Sequence, residues 1–195
     1  LWRVTLSGQA REVYPTASAA RILDASADGR LLVHQGTDRY DSHVKAPGER
    51  GEHRLTGGLL TALSEDGTRA LLYQGHFPNV RTFLEPARGG SPVRLGENWG
   101  VALSPDGKWV LTVGSVNGTP LTLVPTGPGE TRTLALGSVE QIQVGPSSWF
   151  LDGGHVVVVG TEHGKQRRGY VLDLVGGEPR AITPEGIAPI PQSLI

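Results

Sequence analysis

The segment Ser104-Pro105-Asp106-Gly107-Lys108 separates two apolar runs, and its chemistry dictates a turn. Proline presets the turn dihedral, aspartate can accept hydrogen bonds from backbone N–H groups just downstream, and glycine tolerates positive φ. The flanking runs therefore pair as a hairpin. The same arrangement recurs at Ser26-Ala27-Asp28-Gly29-Arg30 and Ser64-Glu65-Asp66-Gly67-Thr68, and in altered form at Phe150-Leu151-Asp152-Gly153-Gly154. Successive aspartates lie 38, 40 and 46 residues apart. Periods of roughly 40 to 50 residues point to propellers, solenoids or arrays, because each unit must bury its apolar faces against its neighbours.

Taken in order, the chain offers two leading strands over 2–6 and 11–14, then units of four short strands. The first unit predicts strands over 20–24, 31–35, 43–46 and 52–55, the second over 59–63, 69–74, 80–85 and 92–95. The third predicts 100–103, 109–113, 121–125 and 131–136, and the last 140–144, 156–159, 170–174 and 179–183. Each run is short, rich in Val, Leu and Ile, and bounded by Gly, Pro, Asp or Asn, while no helical stripe persists. Val156-Val157-Val158-Val159 and Leu31-Leu32-Val33 are apolar on both faces, as a strand between two packed sheets requires. The expected fold is all-β, a β-propeller of four-stranded antiparallel blades. As a single domain over 1–195, it divides into a partial blade at 1–15, blades at 16–56, 57–96, 97–137 and 138–184, and the start of another at 185–195. About four full blades with partial flanking ones imply an incomplete ring or a fragment.

The 28 glycines and 14 prolines fall between the apolar runs, so they mark turns and not a disordered tract. Lys and Arg number 18 against 19 Asp and Glu, a net charge of −1 that gives no field for nucleic acid. The absence of cysteine excludes disulfides, thiolate chemistry and Cys-bound zinc. No apolar run approaches the ~18 residues of a membrane span, so no membrane insertion by this segment is expected. Without a methionine the chain has no initiator, which suggests a processed product or an excised piece.

The units Leu103-Ser104-Pro105-Asp106-Gly107-Lys108-Trp109-Val110-Leu111 and Tyr170-Val171-Leu172-Asp173-Leu174-Val175-Gly176-Gly177-Glu178-Pro179-Arg180 resemble the repeats of TolB-like β-propellers. Similar repeats occur in extracytoplasmic sensor regions of bacterial serine/threonine kinases and in the gating propeller of prolyl-oligopeptidase-type enzymes. The resemblance covers essentially the whole chain. It implies a non-catalytic binding or sensor module of a larger bacterial protein, with an extracytoplasmic location. The alternative it leaves open is the gating propeller of a serine peptidase whose hydrolase domain lies elsewhere. Departures from the repeat are Glu65 and Ala27 in place of the turn proline, and the longer approach to Asp152.

No residue set calls for catalysis or a cofactor. Asp24-Ala25-Ser26-Ala27-Asp28-Gly29 imitates half of a calcium loop, but the twelfth position is Gln35 and the flanks are strands. Gly160-Thr161-Glu162-His163-Gly164-Lys165 is one residue short of a phosphate-binding loop and leads into a strand. Asn117-Gly118-Thr119 fits a glycosylation acceptor, although Asn-Gly between strands is first a turn signal. The six histidines lack paired ligand spacing; only the repeat could bring His43, His76 and His163 together for a metal-dependent lyase.

Arginine recurs in the fourth strands as Arg11, Arg54, Arg94, Arg132 and Arg180, where a cation blunts a free sheet edge. Second-to-third-strand loops and blade-to-blade connections emerge on one side. They hold Asp38, Arg39, Tyr40 and Asp41, then His76, Phe77 and Asn79, then Glu97, Asn98 and Trp99, then Glu140 and Gln141, and finally Glu162, His163, Lys165, Arg167 and Arg168. Long polar loops with aromatics suit recognition better than tight turns. Within this group Asp38, Arg39, Tyr40, His76, Asn79, Glu97, Asn98, Trp99, Glu162, His163 and Arg167 are the candidate contacts for a protein or small ligand.

Overall fold

The computed structural model describes residues 2–4, 9–12, 20–25, 31–35, 41–45, 48–76, 78–115, 117–145 and 148–186. The chain divides into two compact units, residues 1–40 and 41–195. In the first, β1 (Trp2–Val4) pairs antiparallel with β2 (Ala10–Glu12), and β3 (Ala20–Ala25) with β4 (Leu31–Gln35). The Asp28 turn and the candidates Asp38, Arg39 and Tyr40 lie outside the described residues, as does 187–195.

The second unit opens with a hairpin of β5 (Ser42–Val44) and β6 (His53–Leu55). Three antiparallel four-stranded sheets follow, each in sequence order. The first holds β7 (Leu59–Leu63), β8 (Arg69–Gln74), β9 (Arg81–Pro86) and β10 (Val93–Gly96). The second holds β11 (Trp99–Leu103), β12 (Trp109–Val113), β13 (Leu121–Pro125) and β14 (Arg132–Thr133). The third holds β15 (Val139–Gln143), β16 (His155–Glu162), β17 (Arg168–Asp173) and β18 (Arg180–Ala181). Every regular element among the described residues is a strand. β14 and β18 have two residues each, shorter than the pattern of 131–136 and 179–183 predicts. Curtailed outer strands leave little edge for another chain to join.

Alternation along the strands explains why the sheets stack. Successive side chains of a strand point to opposite faces. On β12, Leu111 and Val113 pack with Val156, Val158 and Tyr170 of the third sheet, whereas Val110 packs with Leu71 and Leu84 of the first. On β8, Ala70 and Leu72 face away from Leu71 and pack with Leu55 of the β5–β6 hairpin. Each middle strand thus serves two interfaces, and burying one such Leu or Val contributes about 1.5–3 kcal/mol. Every first strand also carries one register slip against its partner, at Ile22/Asp24, Leu60/Ala62, Gly100/Ala102 and Glu140/Gln143. Bulges of this kind bend a strand and increase sheet twist.

The Asp-Gly turns close as their chemistry demands. Gly67 N donates to Ser64 O at 2.8 Å with φ +67°, and Gly107 N donates to Ser104 O at 2.8 Å with the same φ. In each, the serine hydroxyl donates to the aspartate, at 2.6 Å for Ser64–Asp66 and 2.7 Å for Ser104–Asp106. The serine Oγ also accepts the amides of Arg69 and Trp109, both at 2.9 Å. The Ser64 hydroxyl, followed by the Thr68 amide and hydroxyl, pulls the Asp66 carboxyl down to about 2. A group depressed on folding stabilises the fold above its unfolded pKa and loses that contribution as pH falls through the folded value. In Ser64→Ala, the Asp66 pKa measured by carboxyl-carbon NMR titration should rise toward the usual carboxylate range, and acid unfolding should begin at higher pH.

A second repeated device fixes the connections between sheets. The Ser42 hydroxyl donates to Gly58 O at 3.0 Å and accepts Leu60 N at 3.1 Å. Forty positions on, Thr82 Oγ1 donates to Asn98 O at 2.6 Å and accepts Gly100 N at 2.7 Å. Each hydroxyl therefore clasps backbone groups 16 and 18 residues downstream, tying β5 to the entry of the first four-stranded sheet and β9 to the entry of the second. A Cβ on Gly100 would sit 2.6 Å from Thr82 Cγ2, so only glycine allows this approach. Thr82→Val keeps the shape and orphans the buried Gly100 N and the half-buried Asn98 O, which should cost about 2 kcal/mol in chemical denaturation.

Candidate functional site

Antiparallel connectivity divides the second unit into two unlike ends. Turns after first and third strands lie at one, the turn end; loops after second strands and the connections between sheets lie at the other, the loop end. The loop end carries His76 and Asn79 between β8 and β9, Glu97 and Asn98 between β10 and β11, and Trp99 opening β11. It also carries Glu162, His163 and Arg167 where β16 passes into β17.

Their local roles differ. His76, Asn79, His163 and Arg167 are exposed, and Arg167 reaches Gln143 Oε1 at 3.2 Å across to β15. Glu97 pairs with Arg94 of β10 at 2.6 Å. Asn98 contributes its backbone carbonyl to the Thr82 clasp. Trp99 is half-buried, its ring centroid 5.3 Å from that of Tyr73, and it packs on the interface between the second and third sheets. Glu162 is the centre of an ion cluster. It accepts from Lys165, from Arg168 at 3.3 Å and from Ser138 Oγ at 3.2 Å. The Lys165 ammonium does most to hold the Glu162 carboxyl below its usual range. Arg168 in turn donates to Tyr170 OH at 3.2 Å, its guanidinium 5.4 Å from that ring's centroid. The turn suggested by Gly160-Thr161-Glu162-His163-Gly164-Lys165 is a strand-to-strand connection in which Lys165 N donates to Glu162 O at 3.0 Å.

His43 lies within β5 and pairs with Glu52 at 3.1 Å, apart from His76 and His163 in their loops. Among the described residues, no three His, Asp or Glu side chains are grouped so that they could hold a metal ion. Nor does any helix among them have the length and apolarity to cross a membrane. The fourth-strand arginines described in atomic detail are exposed: Arg54 pairs with Asp41 at 2.6 Å, Arg94 with Glu97, and Arg132 lies 4.3 Å over the Trp109 ring.

Sequence pattern did not single out Ser42, Thr82 or Glu85, the residues that position this end. Glu85 on β9 is 1% exposed, and its carboxyl oxygens accept Thr56 N and Gly57 N, both at 2.9 Å, from the β6–β7 connection. The available signal was the spacing of 16 and 18 from a hydroxyl to the next sheet entry, repeated once at an interval of forty.

Radially repeated four-stranded antiparallel sheets, packed face on face, define a β-propeller, here of the TolB-like kind. The structure of putative TolB from Agrobacterium tumefaciens superposes with a TM-score of 0.58 at 19% identity, over 92% of this chain and 67% of that one. TolB from Acinetobacter baumannii gives 0.57 at 15% identity, over 95% of this chain and 49% of that one. At such identities the likeness establishes the fold alone. No protein-family model and no curated protein sequence matches the chain.

Proposed function

We propose that the chain is a non-catalytic propeller module of a larger bacterial protein, acting outside the cytoplasm, whose loop end recognises a protein partner. The observation that carries this reading is the contrast between the two ends. The loop end presents irregular segments with exposed His76, Asn79, His163 and Arg167 on a frame clasped by Ser42, Thr82 and Glu85. Rigid sheets that display variable loops are the usual way a repeat scaffold recognises a partner. Likeness to TolB propellers supports the module and its location. The fold hosts many roles, so the function rests on the loops.

The test uses a partner captured by the purified chain, identified and then purified. Combined substitution of His76, Asn79, His163 and Arg167 by alanine should weaken its binding about tenfold or more, equivalent to at least about 1.4 kcal/mol. Glu65→Ala with Lys108→Ala, at the turn end, should leave it unchanged. Equal loss from both sets, or none from the first, rejects the loop end as the recognition surface.

A further inference from the structure

The third sheet breaks the repeat at its turn end. Backbone hydrogen bonds align the turns unambiguously: Gly67, Gly107 and Gly153 donate to Ser64, Ser104 and Phe150. Ala87, Thr126 and Leu174 likewise donate to Thr68, Lys108 and Gly154. In this alignment the buried, hydrogen-bonded Ser64 and Ser104 correspond to Phe150, which is 40% exposed. Glu65 and Pro105 correspond to Leu151, which is 84% exposed; Arg88 and Gly127 correspond to Val175, which is 95% exposed. The two turns are adjacent, joined by Leu174 N donating to Gly154 O at 2.9 Å.

Charge departs from the repeat in the same place. Arg69, Lys108 and Arg88 supply cations to the turns of the first two sheets. Residues 148–155 and 173–177 contain no Lys or Arg but hold Asp152 and Asp173. Asp152 is set by Gly154 N at 2.8 Å and by His155 Nδ1 at 2.7 Å, and Asp173 by Val175 N at 2.8 Å. His155 is the only basic side chain on these turns.

Folding does not require these apolar side chains, since the sister turns close without them. Exposed apolar groups with a polar rim mark contact surfaces. We infer that Phe150, Leu151 and Val175 form a second docking surface, at the opposite end from the loops, for a protein segment bearing apolar side chains flanked by Lys or Arg. The acidic rim selects the basic flanks and disfavours an anionic lipid surface.

The probes are short synthetic peptides of alternating leucine and lysine, of leucine and glutamate, and of serine and lysine, followed by fluorescence anisotropy on the whole chain. The leucine–lysine peptide should bind, and the other two should bind at least about tenfold more weakly. Leu151→Ser with Val175→Ser should remove the difference, while the loop-end alanine set leaves it intact; circular dichroism checks that both variants fold. The proposal is overturned if the leucine–glutamate peptide binds equally well or the double variant binds like the parent. It is also overturned if neither leucine peptide binds while phosphatidylcholine vesicles or a second copy of the chain do, in a way the double variant abolishes.

Discussion

Glu85→Ala should lower the free energy of unfolding by about 3 kcal/mol in a urea titration. The Glu85 oxygens accept two backbone amides and, at 3.2 Å, the Thr56 hydroxyl, all from a connection 28 and 29 residues away in sequence. Removing the acceptor leaves Gly57 N, which is buried, without a partner, and each buried unsatisfied group costs about 1–3 kcal/mol. Thr56 is exposed and can turn partly to water, which keeps the total in the lower half of the summed range. Glu85→Gln should recover part of the loss, because one amide oxygen can still accept while the NH2 group opposes a donor. A change below about 0.5 kcal/mol in Glu85→Ala would remove Glu85 from its role as an anchor of the β6–β7 connection.

Leu111→Ala should have a comparable effect, about 3 kcal/mol, through a different element. Leu111 is fully buried in the middle strand of the second sheet and faces Val156, Val158 and Tyr170. Truncation leaves a cavity in that interface alone. In a stack where each sheet touches only its neighbours, stability is close to a sum of local interface terms. Native-state hydrogen exchange should therefore show β16 and β17 losing protection in Leu111→Ala, and the β5–β6 hairpin losing it in Glu85→Ala. Uniform loss along the chain in both variants would mean that the sheets open together, against the sheet-by-sheet picture.

The strands of the first two sheets were legible because turn chemistry punctuates them. Leu59–Leu63, Arg69–Gln74, Trp109–Val113 and Leu121–Pro125 have the bounds that the Asp-Gly and Gly-Pro signals give. β16 runs past 156–159 to include Gly160, Thr161 and Glu162, since Gly160 still pairs with Arg168 of β17 and Thr161 and Glu162 pair with Glu140 and Val139 of β15. The loop end was legible as a place and not as a set of roles. Trp99 looks like a recognition aromatic in a polar connection, yet it pairs with Val113 at the start of β11 and packs on the next interface. Glu85 reads as a surface carboxylate next to a proline. Its partners come from the preceding hairpin, a relation that no local window contains. The exposed apolar turns were missed because the altered Asp152 turn looks like a weakened repeat until its exposure is measured.

The hydroxyl clasp explains where this chain can change length. The tie holds β5 to the entry of β7 and β9 to the entry of β11, so it resists lengthening of the short link between a sheet's last strand and the next sheet's first, whereas a hairpin tip at the turn end lies outside the tied atoms. The only lengthened interval, 46 residues from Asp106 to Asp152, has its extra residues between β15 and β16, at the unclasped side. Loop grafting or tag insertion between β15 and β16 should leave the paired strands in register, whereas one residue added between Gly96 and Asn98 would draw Asn98 O and Gly100 N away from the Thr82 hydroxyl.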